Sequence, residues 1–529
     1  MIAARKLLSG RKFLFPDYSI AVISALILLL SYLYDYPEIL TKRPQGPHQW
    51  RQTDCLAFTA SYYHNEAKFF QPRIYNLLND NKGETAAEFP VLYYLIAQLW
   101  KIFGKHEWIF RLLNYGFTFL ALIAMLKWFE KILKDSFWSI WSVLLLFTSV
   151  LYVYYTLNFL PNIPAFDLVL IGWYFFYCYK NDRKDYHLYL SIFLFLVAGL
   201  LKISSAISFV ALSIIFLMDW TGLSILSTKE KIFPRPLKFV IPAMLALASW
   251  LAWYLYALFY NKTGNSGTML LGIWPIWVLD REEIRNIIEA IRVLWFEDFY
   301  YPVTQFMLIL MFAGIMVMIR KTRLSLGSIT VLLGFGFLSY IILWFYALQY
   351  NDYYFIDLLI LSVFVLLTFF DAVMQYKIGQ ILLNSYLIRA IALLLLVLNI
   401  NHTTQRMKVR YEGWLNNLHK NELYGYEDIE QYLDSLGISR DQKIISANDP
   451  TDNASLYLMD RKGWSKYETN MKDSLKIVQR IQQGAGWLTL SHDFEGPEYS
   501  HWNYFIKEQV GQHRNLKIYR LGLPDENQP

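Results

Sequence analysis

From about residue 18 onward, this chain repeatedly runs for 15 to 24 residues with almost no charge. Such runs are long enough to cross the hydrocarbon core of a bilayer as helices, the form in which a crossing segment satisfies its own backbone. That one feature restricts the chain to polytopic membrane folds. Composition agrees, with 55% hydrophobic and only 17% charged residues, where soluble domains carry about a quarter charged. The aromatic share of 18% suits the Trp and Tyr belts of membrane interfaces. The net charge of +6 does not point to nucleic acid. Its basic residues sit in short clusters between apolar runs, where they report topology.

The N-terminus, MIAARKLLSGRKF, precedes an apolar stretch from about Tyr18 to Tyr34. It has the form of a signal sequence with a basic leading region. The following SYLYDYPEIL lacks a small-x-small cleavage site, so the segment reads as an uncleaved anchor with a cytoplasmic N-terminus. Later candidate spans lie at about 107–129, 138–156, 163–180, 187–201, 204–218, 238–259, 303–319, 327–347, 353–370 and 384–400. The segment VLYYLIAQLWKIF, residues 91–103, differs. As a helix it rises about 20 Å, short of the roughly 30 Å core, and it is amphipathic, as an interfacial helix is.

If 91–103 stays in the interface, the basic loops EKILKDS, YKNDRKDY, STKEKIFPRPLK and IRKTR face the cytoplasm. The short outer loops then hold Lys202 as their only cation, which is the positive-inside pattern. If 91–103 crosses, the pattern inverts. Charge bias therefore favours about eleven spans, with the C-terminus outside. The long outer segments are 35–106 and 260–302, the second carrying the amphipathic LDREEIRNIIEAIRVLW. Cys55 and Cys178 fall on opposite sides of the bilayer, so no intrachain disulfide is expected, and CxxC and HExxH zinc motifs are absent.

Beyond Asn401 the composition turns soluble. YEDIEQYLDSLGI, SLKIVQRIQQG and YFIKEQVGQH read as helices, and KIISAND, GWLTLSHD and KIYRL as strands. The expected fold class is an α-helical polytopic membrane domain, residues 1–400, followed by a small three-layer α/β domain outside the membrane, residues 401–529. No phosphate-binding glycine motif and no internal repeat is present.

Several polar groups gather next to this apolar framework. GPHQWRQTDC places His48, Arg51, Gln52 and Asp54 together just after the anchor. Asp54 suits a general base, or it is a solvated loop carboxylate. Arg51 shares its face if the stretch is helical. Glu88, before Pro90, is a helix-end cap or a second carboxylate. TLNFLPNIPAFD holds Asn158 and Asn162 in a rigid polar hairpin or an ordinary turn. It ends in Asp167, an intramembrane carboxylate and so a functional candidate. Lys202 suits a phosphate, or it snorkels to the interface. YALQYNDYYFIDLLI crowds Gln349, Asn351, Asp352, Tyr353 and Tyr354 at a helix end. That set suits a sugar, or an aromatic belt.

The ordered series HQWRQTD, EFPVLYYLIAQLWKIFGKHEWIFRLLN, NFLPNIPAFDLVLIGWYFFY, GLLKIS and YYFIDLLIL, covering roughly residues 15–400, resembles GT-C superfamily glycosyltransferases. The resemblance is to the bacterial branch with protein O-mannosyltransferases and the lipid A aminoarabinose transferase. It implies interfacial helices in the first outer loop and a polyprenyl-phosphate sugar as donor. It also implies a lipid, glycan or protein acceptor, and an active site on the periplasmic side of the bacterial cytoplasmic membrane. The family's catalytic Asp maps onto Asp54 and its loop lysine onto Lys202. Arg51 then orients Asp54 or contacts phosphate, with His48, Gln52, Glu88, Asn162, Asn351, Tyr353 and Tyr354 as substrate contacts. The family's usual Asp in the second outer turn is Asn162 here. That departure weakens a metal or base role at this position, favours Glu88 as the second acid and leaves a divalent metal open. A lipid or glycan transporter or flippase is the rival from another class, although it favours repeated halves and broken helices, neither visible in the sequence. An O-antigen ligase or polymerase is the rival enzyme, with basic residues expected in a late outer loop.

Overall fold

The computed structural model describes residues 16–222, 231–269, 272–319, 322, 324–447, 449–465, 473–491 and 497–523. The basic leading region expected at the N-terminus lies outside them. Among the described residues, six helices are long and apolar enough to cross a membrane, and up to eight spans result if each of two bent helix pairs is one span. The protein is a multi-pass, mostly helical membrane protein with a small C-terminal sheet.

Residues 91–103 form the helix Val91–Phe103. Leu92, Tyr93, Ile96, Ala97 and Trp100 are buried, whereas Tyr94, Leu95, Ile102 and Phe103 are exposed. The buried set follows the one-face spacing of an amphipathic helix. The segment expected as one span at 138–156 is instead two helices, Ser136–Leu146 and Val150–Thr156, bent by 69°. Neither Pro nor Gly marks the break, so the sequence carries no signal for it. Neighbours satisfy the freed carbonyls: Tyr34 donates to Phe147 O at 3.2 Å and Thr403 to Thr148 O at 2.6 Å. The helix Pro302–Val317 likewise meets the segment Arg281–Phe299 at 89°. The last apolar helix, expected to end near 400, runs from Tyr386 to Tyr411.

The C-terminal sheet has five strands: β1 Lys443–Ser446, β2 Gly463–Trp464, β3 Ala485–Ser491, β4 Ile506–His513 and β5 Leu516–Leu521. Their order is β2-β1-β3-β5-β4. β1 runs parallel to β2 and β3, and β5 antiparallel to β3 and β4. YFIKEQVGQH, expected as a helix, is largely strand β4. Pairing decides it: His513 faces Leu516 across a two-residue turn with Arg514 at φ 51°, so the segment folds back on β5 as a hairpin. Both faces of the sheet are covered. Ile444, Leu516 and Ile518 share a core with Leu433 and Leu456 of flanking helices, and that core continues into the membrane helices. Ile445, Leu488 and Leu490 pack with Ile477 of the helix Ser474–Gln482 on the other face.

The segment between the helices Gln49–Tyr63 and Val91–Phe103 joins this sheet. Leu77 N donates to Gly463 O at 2.8 Å and Gly463 N to Tyr75 O at 3.2 Å, so residues 75–77 pair in parallel beside β2. Trp464 Nε1 donates to Leu78 O at 3.0 Å. Ion pairs flank the seam: Lys105 with Asp460 at 2.9 Å, Arg440 with Glu66 at 2.7 Å and Lys462 with Glu66 at 2.8 Å. Gly463, which lies between residues 75–77 and β1, is held to glycine by the close approach of β1, because a Cβ there would lie 1.7 Å from Ile444 O. Gly463→Ala is expected to destabilise the protein by about 1–3 kcal/mol. Thermal unfolding in detergent should show a lowered midpoint, and proteolysis should cut the 75–78 segment faster than in wild type.

Candidate active site

The GPHQWRQTDC stretch is a buried helix start, not a wet loop. The helix Gln49–Tyr63 begins after His48, whose backbone is left-handed at φ 57°. Gln49 donates to Pro44 O at 2.7 Å, and Gln52 to Gln45 O at 2.8 Å and the Tyr154 hydroxyl at 3.2 Å. Gln52, expected as a substrate contact, is thus committed to holding the preceding turn. The helix places Arg51 and Asp54 on one face, as their spacing requires.

Arg51 joins two acids. Its Nη2 donates to both Glu88 oxygens at 2.5 and 2.6 Å, and its Nη1 lies 3.8 Å from Asp54 Oδ2. Tyr93 also donates to Glu88. Glu88 therefore does not cap the helix that follows it; its carboxylate turns to Arg51. Burial opposes the charge on Glu88, but Arg51 and the Tyr93 hydroxyl hold its carboxyl below the usual range. Asp54 is 2% exposed. Asn453, from the loop before the C-terminal helix Ala454–Met459, donates to its Oδ1 at 2.7 Å. Burial pushes the Asp54 carboxyl up to about 7; Arg51 and Asn453 pull it down, while Asp452 and Glu88 push it up. Two acids bound to one guanidinium are thus set apart, one firmly ionised and one poised near neutrality.

Lys202 ends the helix Asp185–Leu201. Its ammonium lies 4.4 Å from the Tyr354 ring centre and 5.4 Å from that of Tyr353. The bond from Phe89 N to Leu200 O, 3.0 Å, ties the Glu88 segment to the same helix end. Among the described residues Lys202 has no carboxylate within ion-pair distance. The neighbouring Asp357 carboxylate accepts from Ser204 and Ser205 instead.

His48 reaches the same region from the other side. Its Nε2 is 2.8 Å from Asp352 Oδ1, and its ring meets Tyr353 edge-on at 5.1 Å. Asp352 also accepts from Tyr155 and from Arg410, which pairs in turn with Asp298 at 2.5 Å. Arg410, Asp298 and Asp352 have fully buried side chains. Sequence reasoning did not single out Arg410 or Asp298. The available signal was Arg406 and Arg410, one helical turn apart beyond the apolar run, where the last helix continues and Arg406 also binds Asp298 at 2.6 Å.

Other polar residues singled out in the sequence hydrogen-bond within the chain. Asn162 donates to Tyr353 O at 3.1 Å and Asn351 to Ala347 O at 3.0 Å, so both amides shape backbone near the site. Asp167 is enclosed between helices and accepts from Tyr152 at 2.6 Å and Thr118 at 2.9 Å. Cys55 and Cys178 are both buried and free. Among the described residues no group of three or more His, Cys, Asp or Glu side chains is arranged to hold a metal ion.

A buried acid pair bridged by arginine, with an aromatic-flanked lysine beside it, sits on a polytopic helical frame whose fold is similar over nearly the whole chain to solved membrane glycosyltransferases of the GT-C type. ArnT from Cupriavidus metallidurans in the apo state superposes with a TM-score of 0.58 at 11% identity, covering 95% of this chain and 97% of that one. The apo oligosaccharyltransferase from Archaeoglobus fulgidus gives 0.52 at 12% identity over 98% of this chain and 76% of that one. Arabinofuranosyltransferase AftD from mycobacteria gives 0.51 at 11% identity over 97% of this chain, which spans 40% of that larger one. No protein-family model matches the sequence, and no curated protein matches it.

Removing the Arg410 charge leaves two buried carboxylates facing each other. Arg410→Met is expected to cost about 3–5 kcal/mol. Fluorescence-detected unfolding of the purified protein should show a large loss of thermal stability, while Arg406→Met, which leaves Asp298 one arginine, should lose less.

Proposed function

We propose that this protein is an inverting glycosyltransferase that moves a sugar from a polyprenyl-phosphate donor to a hydroxyl acceptor at the outer face of the bacterial cytoplasmic membrane. The observation that carries this reading is the Asp54–Arg51–Glu88 group beside Lys202, which among the described residues has no carboxylate partner, on a GT-C fold. Asp54, poised near neutrality by burial, is the base that removes the acceptor hydroxyl proton. The acceptor oxygen attacks the anomeric carbon opposite the phosphate, the bond to phosphate breaks, and configuration inverts. Lipid phosphate departs as a stable anion and needs no proton. Lys202 is the cation for that phosphate, acting as a point charge. Arg51, already bound to both Glu88 oxygens, orients Asp54 and keeps positive charge beside it. Tyr353, Tyr354 and His48, grouped beside Lys202, are the sugar contacts in this reading.

In this reading residues 1–400 carry the chemistry, and the part beyond them covers the site from outside. About eleven spans place the N-terminus in the cytoplasm and the C-terminus outside, with 91–103 in the interface. The acceptor is a lipid, glycan or protein, and no nucleic acid takes part.

The test is transfer from radiolabelled polyprenyl-phosphate sugars in membranes containing the full chain. Wild type is expected to label a product, with a rate that rises as pH passes about 7, because only ionised Asp54 accepts a proton. Asp54→Asn is expected to lower the rate by about 100-fold or more, and Lys202→Met to raise the donor KM. Undiminished transfer by Asp54→Asn at matched protein level would sink the base assignment.

A further inference from the structure

Asp54 belongs to the first outer loop, yet its shortest hydrogen bond comes from about four hundred residues away in sequence. Asn453 is fully buried, and its Nδ2 donates to Asp54 Oδ1 at 2.7 Å. The other end of the same amide is fixed. Asn453 Oδ1 accepts from the backbone N–H of Asn76 at 3.1 Å. That acceptor role assigns the amide: with oxygen toward Asn76 N–H, the NH2 must face the carboxylate. A flipped amide would set oxygen against carboxylate and NH2 against N–H, two repulsive contacts in a dry place.

The loop that carries Asn453 is itself rigid. Asp449 is buried and accepts from Thr451 N at 2.7 Å and Ser455 N at 2.6 Å, and Thr451 Oγ1 accepts from Ala454 N at 3.0 Å. Asp452 accepts from Thr268 at 2.7 Å, and the adjacent Met269 sulfur lies 3.9 Å from Arg51 Nη1. Residues 48–54, 268–269 and 449–455 therefore meet over one carboxylate.

We infer that Asn453, contributed by the C-terminal α/β unit, is a positioning residue for the Asp54 carboxylate, so that the site is complete only when that unit is docked. This rests on the proposed role of Asp54 as base. The neutral amide, fixed at its other end by Asn76, does two things. It selects one orientation of the carboxylate, leaving Oδ2 toward Arg51 and the reacting hydroxyl. It also stabilises the ionised form without cancelling its charge, which opposes the effect of burial. Seating of residues 75–77 against β2 fixes Asn76, Asn76 fixes Asn453, and Asn453 fixes Asp54.

The test uses the purified full chain in detergent and reads Asp54 directly. The carboxyl C=O infrared band that disappears in Asp54→Asn identifies the group, and its intensity against pH gives its midpoint. The groups facing Asp54 are Arg51, Cys55, Glu88, Asp452 and Tyr353, all kept in the variants. Asn453→Leu, which removes the donor at similar volume, is expected to raise the midpoint by about one pH unit. It should also move the acid limb of kcat for transfer from radiolabelled polyprenyl-phosphate sugar by the same amount, with the donor KM unchanged. Asn453→Asp keeps the acceptor for Asn76 N–H but opposes carboxylate to carboxylate; it should shift both further, and it serves where the leucine variant does not fold. A wild-type midpoint and acid limb in these variants overturns the inference while leaving the base assignment intact. Full transfer by Asp54→Asn overturns the base assignment and, with it, any catalytic meaning of the Asn453 contact.

Discussion

The parallel pairing of residues 75–77 with Gly463 is the contact on which the site's environment depends. It extends the C-terminal sheet by a segment from between the helices Gln49–Tyr63 and Val91–Phe103, and it makes that segment and the sheet one hydrogen-bonded body. An unpaired sheet edge is otherwise a place for unwanted association. Here the edge is closed by the chain's own loop, and the closure lays the 449–455 segment over Asp54. Burial of that carboxylate, its high proton affinity and its partner Asn453 all follow from this seating.

Around the seam, charge is handled in two ways. At its rim Asp460 and Glu66 are surrounded by Lys105, Arg440 and Lys462. The cationic and hydrogen-bonding neighbours outweigh burial and keep both carboxyls below their usual range. Deeper in, Arg410 bonds Asp298 and Asp352, and Asp352 holds His48. Removing one partner from such a buried group costs more than the group contributes when whole. Its value is positional: it ties the end of the last apolar helix to the 352–358 turn and to the N-cap of the helix that presents Arg51 and Asp54.

Much of the frame was legible from local pattern. Apolar runs without charge located most of the helices, and the length and one-sidedness of 91–103 marked it as a short amphipathic helix. The Arg51–Asp54 spacing placed both on one face. Lys202 stands out by its place between helices and the Tyr353–Tyr354 pair by composition, whereas the backbone hydrogen bonds of the Asn162, Asn351 and Gln52 amides have no local signal. The break at 147–149 left no Pro or Gly, because distant hydroxyls from Tyr34 and Thr403 stabilise it. Strand β4 read as a helix because its local sequence is permissive, and only its partner β5 decides its state.

By itself the sequence determined that the chain spans a membrane repeatedly, that polar segments lie between particular helices, and which acids and cations were available for chemistry. Those properties come from hydrophobicity and helical period, which act over neighbouring residues. Only the tertiary structure decided that Glu88 belongs to Arg51, that Arg410 unites Asp298 and Asp352, and that Asn453 bonds Asp54. Each of these is a contact between groups far apart in the chain. A buried charge takes whichever partner the fold brings within hydrogen-bond reach, and no local pattern encodes that partner.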